Sequence, residues 1–172
     1  MGAGLSRSVV AERGLAVVDE HGLTALTMRR LASDLGVEAA SLYNHISSKA
    51  DLLDAVVERA RSEMLLPEEW PDDWRESVAV VFTEYYRSLL THPNLIPLAG
   101  RRTAPGPTGV DHIAAQGVPR PAAVRLWQAA LALTLGFASF ASGSTHEAGT
   151  WHIETYRHAL GVLIHGMTGG QT

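Results

Sequence analysis

The chain of 172 residues contains no cysteine and a single lysine, Lys49. The lack of cysteine excludes disulfides, thiolate nucleophiles and thiolate metal ligands. Alternating β-branched runs between tight turns are also missing, so strands are not expected. The first twenty residues hold no long apolar stretch, and no signal peptide is expected. The composition that remains, 46% hydrophobic and 19% charged, is that of a globular protein able to bury a core without cross-links.

Positive charge is scarce as well. The net charge is −4, and residues 1–66 and the rest of the chain each carry −2. Binding to nucleic acid must therefore depend on a few well-placed cations rather than on a broad basic field. Known catalytic motifs are missing too. The glycine-rich stretch at residues 100–109, for example, lacks the spacing of a phosphate-binding loop. We expect no enzyme activity, no cofactor and no bound metal.

The first third of the chain predicts four short helices with recognisable ends. The N-caps are Ser6, Thr27 and Ser48, and the C-terminal stops are Gly22 and Gly36. The third helix is predicted from about residue 39 to residue 46. The fourth, over residues 48–65, begins with a sequence typical of a capping box and links this domain to the next.

A segment rich in proline and tryptophan at residues 66–74 marks the predicted boundary between domains 1–65 and 66–172. The second domain predicts helices over residues 74–90, 121–143 and 149–167, separated by an irregular stretch from 95 to 120. The longest apolar run, Ala129 to Ala141, is too short to cross a bilayer and predicts a buried helix. The predicted fold is all-α, with no membrane-spanning part.

Residues 27–46 predict a helix-turn-helix. A tight turn at Gly36 and Val37 joins two helices, and Val37 can fill the gap between them. In DNA-binding proteins of this type the second helix lies in the major groove, with its first residues near the base edges. This motif makes double-stranded DNA the expected partner.

The stretch LTMRRLASDLGVEAASLYNHISSKADLLDAV, residues 26–56, closely resembles the DNA-binding domain of the tetracycline-repressor (TetR) family. Weaker similarity to the ligand-binding domain of the tetracycline-repressor type follows in residues 74–100 and 156–167. The resemblance therefore implies an N-terminal helix-turn-helix domain joined by a linking helix to a C-terminal ligand-binding and dimerisation domain. The positions shared with the family pattern are Leu26, Thr27, Arg29, Leu31, Ala32, Leu35, Gly36, Val37, Leu42, Tyr43, His45, Lys49, Leu52 and Leu53.

The resemblance also implies which residues touch DNA. Thr27, Arg29, Tyr43, His45 and Lys49 would meet the phosphate backbone, which positions the protein without reading sequence. The first residues of the second helix would lie at the bases, and they are Ala39, Ala40 and Ser41. This chain departs from the tetracycline repressor here, since Ala39 stands where that protein has glutamine. Asn44 can bond adenine through two hydrogen bonds and is the main candidate for specificity.

For the C-terminal domain the resemblance implies a pocket for a small-molecule effector and a homodimer formed by helices near 121–143 and 150–167. The candidate pocket residues are Phe82, Tyr85, Tyr86, His92, Asn94, Arg101, His112, Gln116 and Trp127. The expected function is a cytoplasmic repressor that binds a palindromic operator and leaves it when the effector binds.

Two kinds of alternative stay open at this point. Each candidate side chain has a plain structural explanation: Tyr43 as a core ring, His45 as a structural histidine, and Arg29 and Lys49 as solvated cations. The small pair Ala39 and Ala40 and the acidic N-terminal domain also fit a helical adaptor that binds other proteins and has lost specific DNA binding.

Overall fold

The computed structural model describes residues 4–99, 107–143 and 149–167, and within these ranges every regular element is a helix. The predicted all-α fold class is therefore confirmed. The described chain divides into two compact units. The N-terminal unit runs up to Glu63 and also contains His92–Leu98, a segment that the sequence places in the second domain. The C-terminal unit contains Met64–Thr91 and the residues from Ala99 onwards.

Capping residues set the ends of the helices in the N-terminal unit. These helices are α1 (Arg7–His21), α2 (Met28–Leu35), α3 (Ala39–Leu42) and α4 (Lys49–Arg61). The hydroxyls of Ser6, Thr27 and Ser48 each accept a hydrogen bond from the backbone N–H three residues further on. These bonds satisfy donors that the first turn of a helix leaves open. Gly22 ends α1, and Gly36 ends α2 at φ 66°, a left-handed conformation that glycine adopts without strain.

The predicted third helix is shorter in the structure than in the sequence-based prediction. Its α-helical part ends at Leu42 rather than near residue 46. The N–H groups of Tyr43, Asn44 and His45 then bond to carbonyls three residues back, which tightens the chain into 3₁₀-type turns. Leu42 and Ile46 are completely buried on either side of these turns. The tight turns therefore bring Ile46 into the core and leave Tyr43 and Asn44 exposed.

The core of the N-terminal unit combines the apolar faces of all four helices with the turn before α2. Val37 packs against this core from the α2–α3 turn, as predicted. The core therefore fixes α3 relative to α1, α2 and α4. Its most deeply buried members are Val10, Val17, Val18, Leu26, Leu31, Leu42, Ile46, Leu52 and Val56.

Gly14 on α1 lies close to Val56 on α4. A Cβ atom added at Gly14 would lie 2.7 Å from Cγ2 of Val56. We therefore expect Gly14→Ala to lower the free energy of unfolding by about 1–3 kcal/mol through overpacking, less the gain in helix propensity. Thermal unfolding of Gly14→Ala in the wild type and in a Val56→Ala background measures this. An equal loss in both backgrounds would contradict the assignment to this contact.

The C-terminal unit packs four helices around a second core. Its first helix, α5 (Trp74–Thr91), contacts the three later helices of the unit, and a 3₁₀ turn (Pro93–Leu95) and α6 (Ile96–Ala99) follow α5 along the chain. The later helices are α7 (Pro107–Ala115), α8 (Arg120–Gly143) and α9 (Gly149–Gly166).

The prediction that residues 95–120 are irregular was wrong for α6 and α7. Pro107 is the first residue of α7, a position where its missing N–H group costs nothing. Gly109 lies directly against the ring of Trp127, and a Cβ atom there would overlap the ring. Pro107 thus begins α7, and Gly109 allows α7 to pack closely against Trp127; neither residue interrupts the helix.

Helix α8 is longer than the apolar run at residues 129–141 from which a buried helix was predicted. With 24 residues it is long and apolar enough to cross a membrane, a criterion that core helices of soluble proteins also meet. The sequence-based judgement that the run is too short considered only residues 129–141. One face is buried at Leu126, Ala130, Thr134 and Ala138, whereas Phe140 is 66% exposed. Helix α8 thus buries one face in the unit and presents Phe140 to solvent.

Candidate nucleic-acid interface and effector site

The exposed residues of α3 and its following turn form one surface of the N-terminal unit. Ala39, Ala40 and Asn44 are exposed, and Tyr43 is 55% exposed although it is a large aromatic residue. Ser41 and His45 are half-buried. We call residues 39–45 the recognition surface. Its exposed groups are the Tyr43 ring, the Asn44 amide and the methyl groups of Ala39 and Ala40, on α3 and the turns after it.

Two neighbouring arginines on α2 have different surroundings. Arg30 and Arg13 both bond the carboxylate of Asp34, at 3.4 and 2.8 Å, and these bonds hold the pKa of Asp34 below its ordinary value. Arg29 is exposed, and no ion pair to it is found in the described ranges. Arg29 is therefore available to an anion, whereas Arg30 is already engaged. Thr27, the N-cap of α2, is exposed beside them.

Lys49 makes a contact that its sequence did not predict. Its Nζ donates a hydrogen bond to the backbone carbonyl of Leu26, the residue before the N-cap of α2. Partial burial lowers the pKa of this amine. Lys49 thus ties the first turn of α4 to the start of α2, in addition to any contact with DNA.

The salt dependence of DNA binding can separate these two roles of Lys49. We expect Lys49→Met to weaken DNA binding, because it removes either a phosphate contact or the support of α2. If Lys49 binds a phosphate, the substitution reduces the slope of log K against log salt by about 1 per subunit. If Lys49 only positions α2, the slope stays unchanged and the melting temperature falls. Unchanged affinity, slope and melting temperature would contradict both roles.

Aromatic side chains from three helices meet inside the C-terminal unit. Phe82 on α5 meets Trp127 on α8 edge to face, with the ring centroids 4.9 Å apart. Tyr86 on α5 stacks on Tyr156 of α9 at 4.2 Å, and Phe137 lies edge-on to both. We call these five residues the aromatic cluster. The side chain of Tyr86 is completely buried, and its hydroxyl has no hydrogen-bond partner among the described residues.

A polar group lies between α5 and α7 in the same unit. Nε2 of His112 is 3.3 Å from the Ser77 hydroxyl and 3.1 Å from the Gln116 amide nitrogen. The Gln116 amide oxygen accepts a bond from the N–H of Trp74. His112 and Gln116 are thus brought together as polar groups, already bonded to each other. Tyr85 is buried on α5.

Eight of the nine predicted pocket residues are described, and they are divided between the two units. His92 and Asn94 belong to the N-terminal unit, where they bond Asp19, Glu63 and the backbone at the end of α1. Arg101 lies outside the described residues. Phe82, Tyr85, Tyr86, His112, Gln116 and Trp127 remain in the C-terminal unit.

Sequence reasoning missed the residue that joins three helices of this unit. The Tyr156 hydroxyl donates to the carbonyl of Phe82 at 2.9 Å and lies 2.8 Å from the hydroxyl of Thr134. Burial raises the pKa of Tyr156 far above its ordinary value. A buried threonine in an otherwise apolar helix was the available signal, because such a hydroxyl needs a partner.

Comparisons with known proteins agree with this arrangement. Residues 11–56 match the sequence model of the family described as "Bacterial regulatory proteins, tetR family". An HTH-type transcriptional regulator of Saccharopolyspora erythraea is 34% identical over 106 residues, 62% of this chain and 45% of that protein. The HTH-type transcriptional repressor DrrR1 of Streptomyces coeruleorubidus is 31% identical over 103 residues, 59% of this chain and 38% of that protein. The chain thus spans less than half the length of these curated relatives.

A solved structure extends the likeness over almost the whole chain. A TetR variant from Acinetobacter baumannii AYE, crystallised with minocycline, superposes with a TM-score of 0.78 at 27% identity. The match covers 94% of this chain and 96% of that one. Residues 11–56 therefore match the tetR family of bacterial regulatory proteins, and the fold of the chain is similar to that of a solved TetR variant.

Proposed function

We propose that this chain is a transcriptional repressor that binds a palindromic DNA operator as a homodimer and leaves it when a small-molecule effector binds. The recognition surface carries this proposal. Tyr43, Asn44 and two alanines are exposed on α3 and the turns after it, and the same stretch buries Leu42 and Ile46 completely. The major groove admits a short helix, and its base edges offer hydrogen-bonding partners for an exposed amide.

Cations and hydrogen-bond donors beside the recognition surface supply the backbone contacts. The Arg29 guanidinium has no ion-pair partner among the described residues, and Thr27 offers a hydroxyl at the start of α2. We assign Tyr43, His45 and Lys49 to phosphate contacts as well. These contacts position the dimer, and their small number suits a chain whose net charge is −4.

The remaining residues of the recognition surface determine which DNA sequence is bound. Asn44 can donate to and accept from one adenine edge, and the methyl groups of Ala39 and Ala40 can contact thymine methyl groups. Ser41, half-buried on the same helix, can bond either kind of base edge. We infer an operator that differs from the tetracycline operator, with an A·T pair opposite Asn44.

The exposed apolar side chains of α8 and α9 support the homodimer. Phe140 on α8 is 66% exposed and Val162 on α9 is 60% exposed. These two helices pack against each other, and each therefore offers a large apolar side chain to a partner. We infer that a second copy of the chain covers both helices about a two-fold axis. The expected operator has half-sites about 34–36 Å apart, one turn of DNA.

The aromatic cluster and the polar group beside α7 support an effector site in the C-terminal unit. Ligand sites are mostly apolar, with a few placed polar groups. We assign Phe82, Tyr85, Tyr86 and Trp127 to the apolar wall, and His112 and Gln116 to the polar contacts. The unpartnered Tyr86 hydroxyl is a donor that a ligand acceptor can satisfy. Such a repressor acts in the cytoplasm, where bacterial DNA is found.

Selection from a random double-stranded DNA library tests this function without knowledge of the operator. We expect repeated binding and amplification to enrich a palindrome whose half-sites lie one helical turn apart. A library bound by the Asn44→Ala and Arg29→Ala double variant serves as the control and should enrich other sequences or none. Absence of any enriched palindrome with the wild-type chain would favour the helical adaptor instead.

A further inference from the structure

His92 lies buried in the N-terminal unit although it directly follows the last residue of α5. Its side chain is 8% exposed, and each ring nitrogen faces a carboxylate. Nδ1 is 2.9 Å from Oδ2 of Asp19 on α1, and Nε2 is 3.1 Å from Oε2 of Glu63 after α4. A single ring thus joins two parts of the unit that are far apart in sequence.

Only one protonation state of His92 can make both contacts as hydrogen bonds. A carboxylate is an acceptor only, and a neutral imidazole has one N–H donor and one lone pair. The neutral ring therefore bonds one carboxylate and turns its lone pair towards the other. The imidazolium donates from both nitrogens, so the observed geometry suits the charged ring.

The charges around His92 balance when the ring is protonated. Arg59 lies 2.9 Å from the other carboxylate oxygen of Glu63. Asp19 and Glu63 supply two negative charges, and Arg59 and the imidazolium supply two positive charges. Loss of the proton leaves one uncompensated negative charge beside a buried ring. The carboxylates reach solvent, with the side chains of Asp19 and Glu63 32% and 39% exposed, whereas the His92 ring does not.

His92 is the first anchor of a segment that returns to the N-terminal unit. The Asn94 amide donates to the carbonyls of Val18 and Asp19 at the end of α1, at 2.9 and 3.3 Å. Leu95 and Leu98 are buried in the core of this unit. The same segment continues directly from α5 and leads on towards α7. A change in how this segment is held would therefore alter the connection along the chain between α5 and the N-terminal unit.

We propose that His92, Asp19 and Glu63 form a proton-operated anchor, here called the His92 clasp, that holds residues 92–98 in the N-terminal unit. The clasp is closed when His92 is protonated. It opens when a rise in pH removes the proton from the ring. This inference is independent of the proposed operator and effector.

Hydrogen exchange of the full-length chain tests the clasp. We expect the protection factors of the amides in residues 92–98 to fall as the pH rises from 5.5 to 8.5, by at most about tenfold per pH unit for one linked proton. The protection factors of α2 and α8 serve as internal references. In His92→Gln, protection of this segment should be lower at pH 5.5 and independent of pH. In His21→Gln, which removes an exposed histidine at the end of α1, the pH dependence should remain.

Glu63→Gln provides the decisive variant, because a glutamine amide can donate to the lone pair of a neutral imidazole. We expect Glu63→Gln to retain protection of residues 92–98 at pH 8.5 and to reduce its dependence on pH. A segment whose protection is independent of pH in the wild type would overturn the proposal. Equal pH dependence in the wild type and His92→Gln would overturn it as well, by assigning the effect to another group.

Discussion

Replacing Asn44 by alanine is expected to reduce the affinity for the selected operator by about 5- to 150-fold for each half-site. The exposed amide is the single group on the recognition surface that can form two hydrogen bonds to one base edge, a contact worth about 1–3 kcal/mol. Binding to unrelated DNA should hardly change, because phosphate contacts carry that affinity. The ratio of the two affinities, measured by fluorescence anisotropy at fixed salt, reports the loss of specificity.

A matched control distinguishes this loss from damage to the fold. Ser33→Ala removes an exposed polar group from α2, outside the recognition surface, and should leave both affinities unchanged. Repeated selection with Asn44→Ala should also relax the preference at one base pair in each half-site. If the variant bound the selected operator as tightly as the wild type, Asn44 would have no part in reading sequence.

Replacing Tyr156 by alanine is expected to have the largest effect on stability. The side chain is completely buried, stacks on Tyr86 and bonds the backbone of Phe82. Deleting a large buried aromatic side chain costs about 3–5 kcal/mol, and a melting temperature falls by about 2–4 °C per kcal/mol in a chain of this size. We expect Tyr156→Phe to lose only the hydroxyl contribution, about 1 kcal/mol. Thermal unfolding followed by circular dichroism measures both.

Tyr43→Ala makes the same substitution at an exposed tyrosine and should change the free energy of unfolding by no more than about 0.5 kcal/mol.

Alkaline pH gives a further check on Tyr156. Burial raises the pKa of its phenol above the ordinary value of 10.0, so its contribution is complete below that pH and falls as the pH rises beyond it. Tyr156→Phe should lose this part of the alkaline destabilisation. Equal stabilities for Tyr156→Ala and Tyr43→Ala would contradict the central position of Tyr156.

Local sequence signals predicted the N-terminal unit well because its helix ends depend on neighbouring residues. Ser6, Thr27 and Ser48 cap the helices that follow them, and Gly36 supplies the positive φ of the turn. The length of α3 was overestimated because burial of Ile46, a tertiary effect, tightens the chain after Leu42. Helix propensity, which depends on the residue type alone, does not include such a tertiary effect.

The C-terminal candidates depended on contacts between distant residues, and the sequence was less informative there. His92 and Asn94 follow α5 directly and were grouped with the pocket by their position in the chain. The structure instead gives them partners on α1 and after α4, at sequence separations that no local pattern encodes. Likewise, glycine and proline made the segment Pro107–Ala115 look irregular in the sequence. The structure shows that Gly109 lies against the ring of Trp127, a contact between residues distant in sequence.

The central claim is that the recognition surface binds one DNA sequence in preference to others. The most direct measurement is an anisotropy titration of the selected palindrome and of a scrambled duplex of equal length, each from about 50 to 200 mM salt. We expect the palindrome to bind about 10³-fold or more tightly than the scrambled duplex, with an affinity that falls steeply as salt rises. Equal affinity for the two duplexes at every salt concentration would contradict the claim.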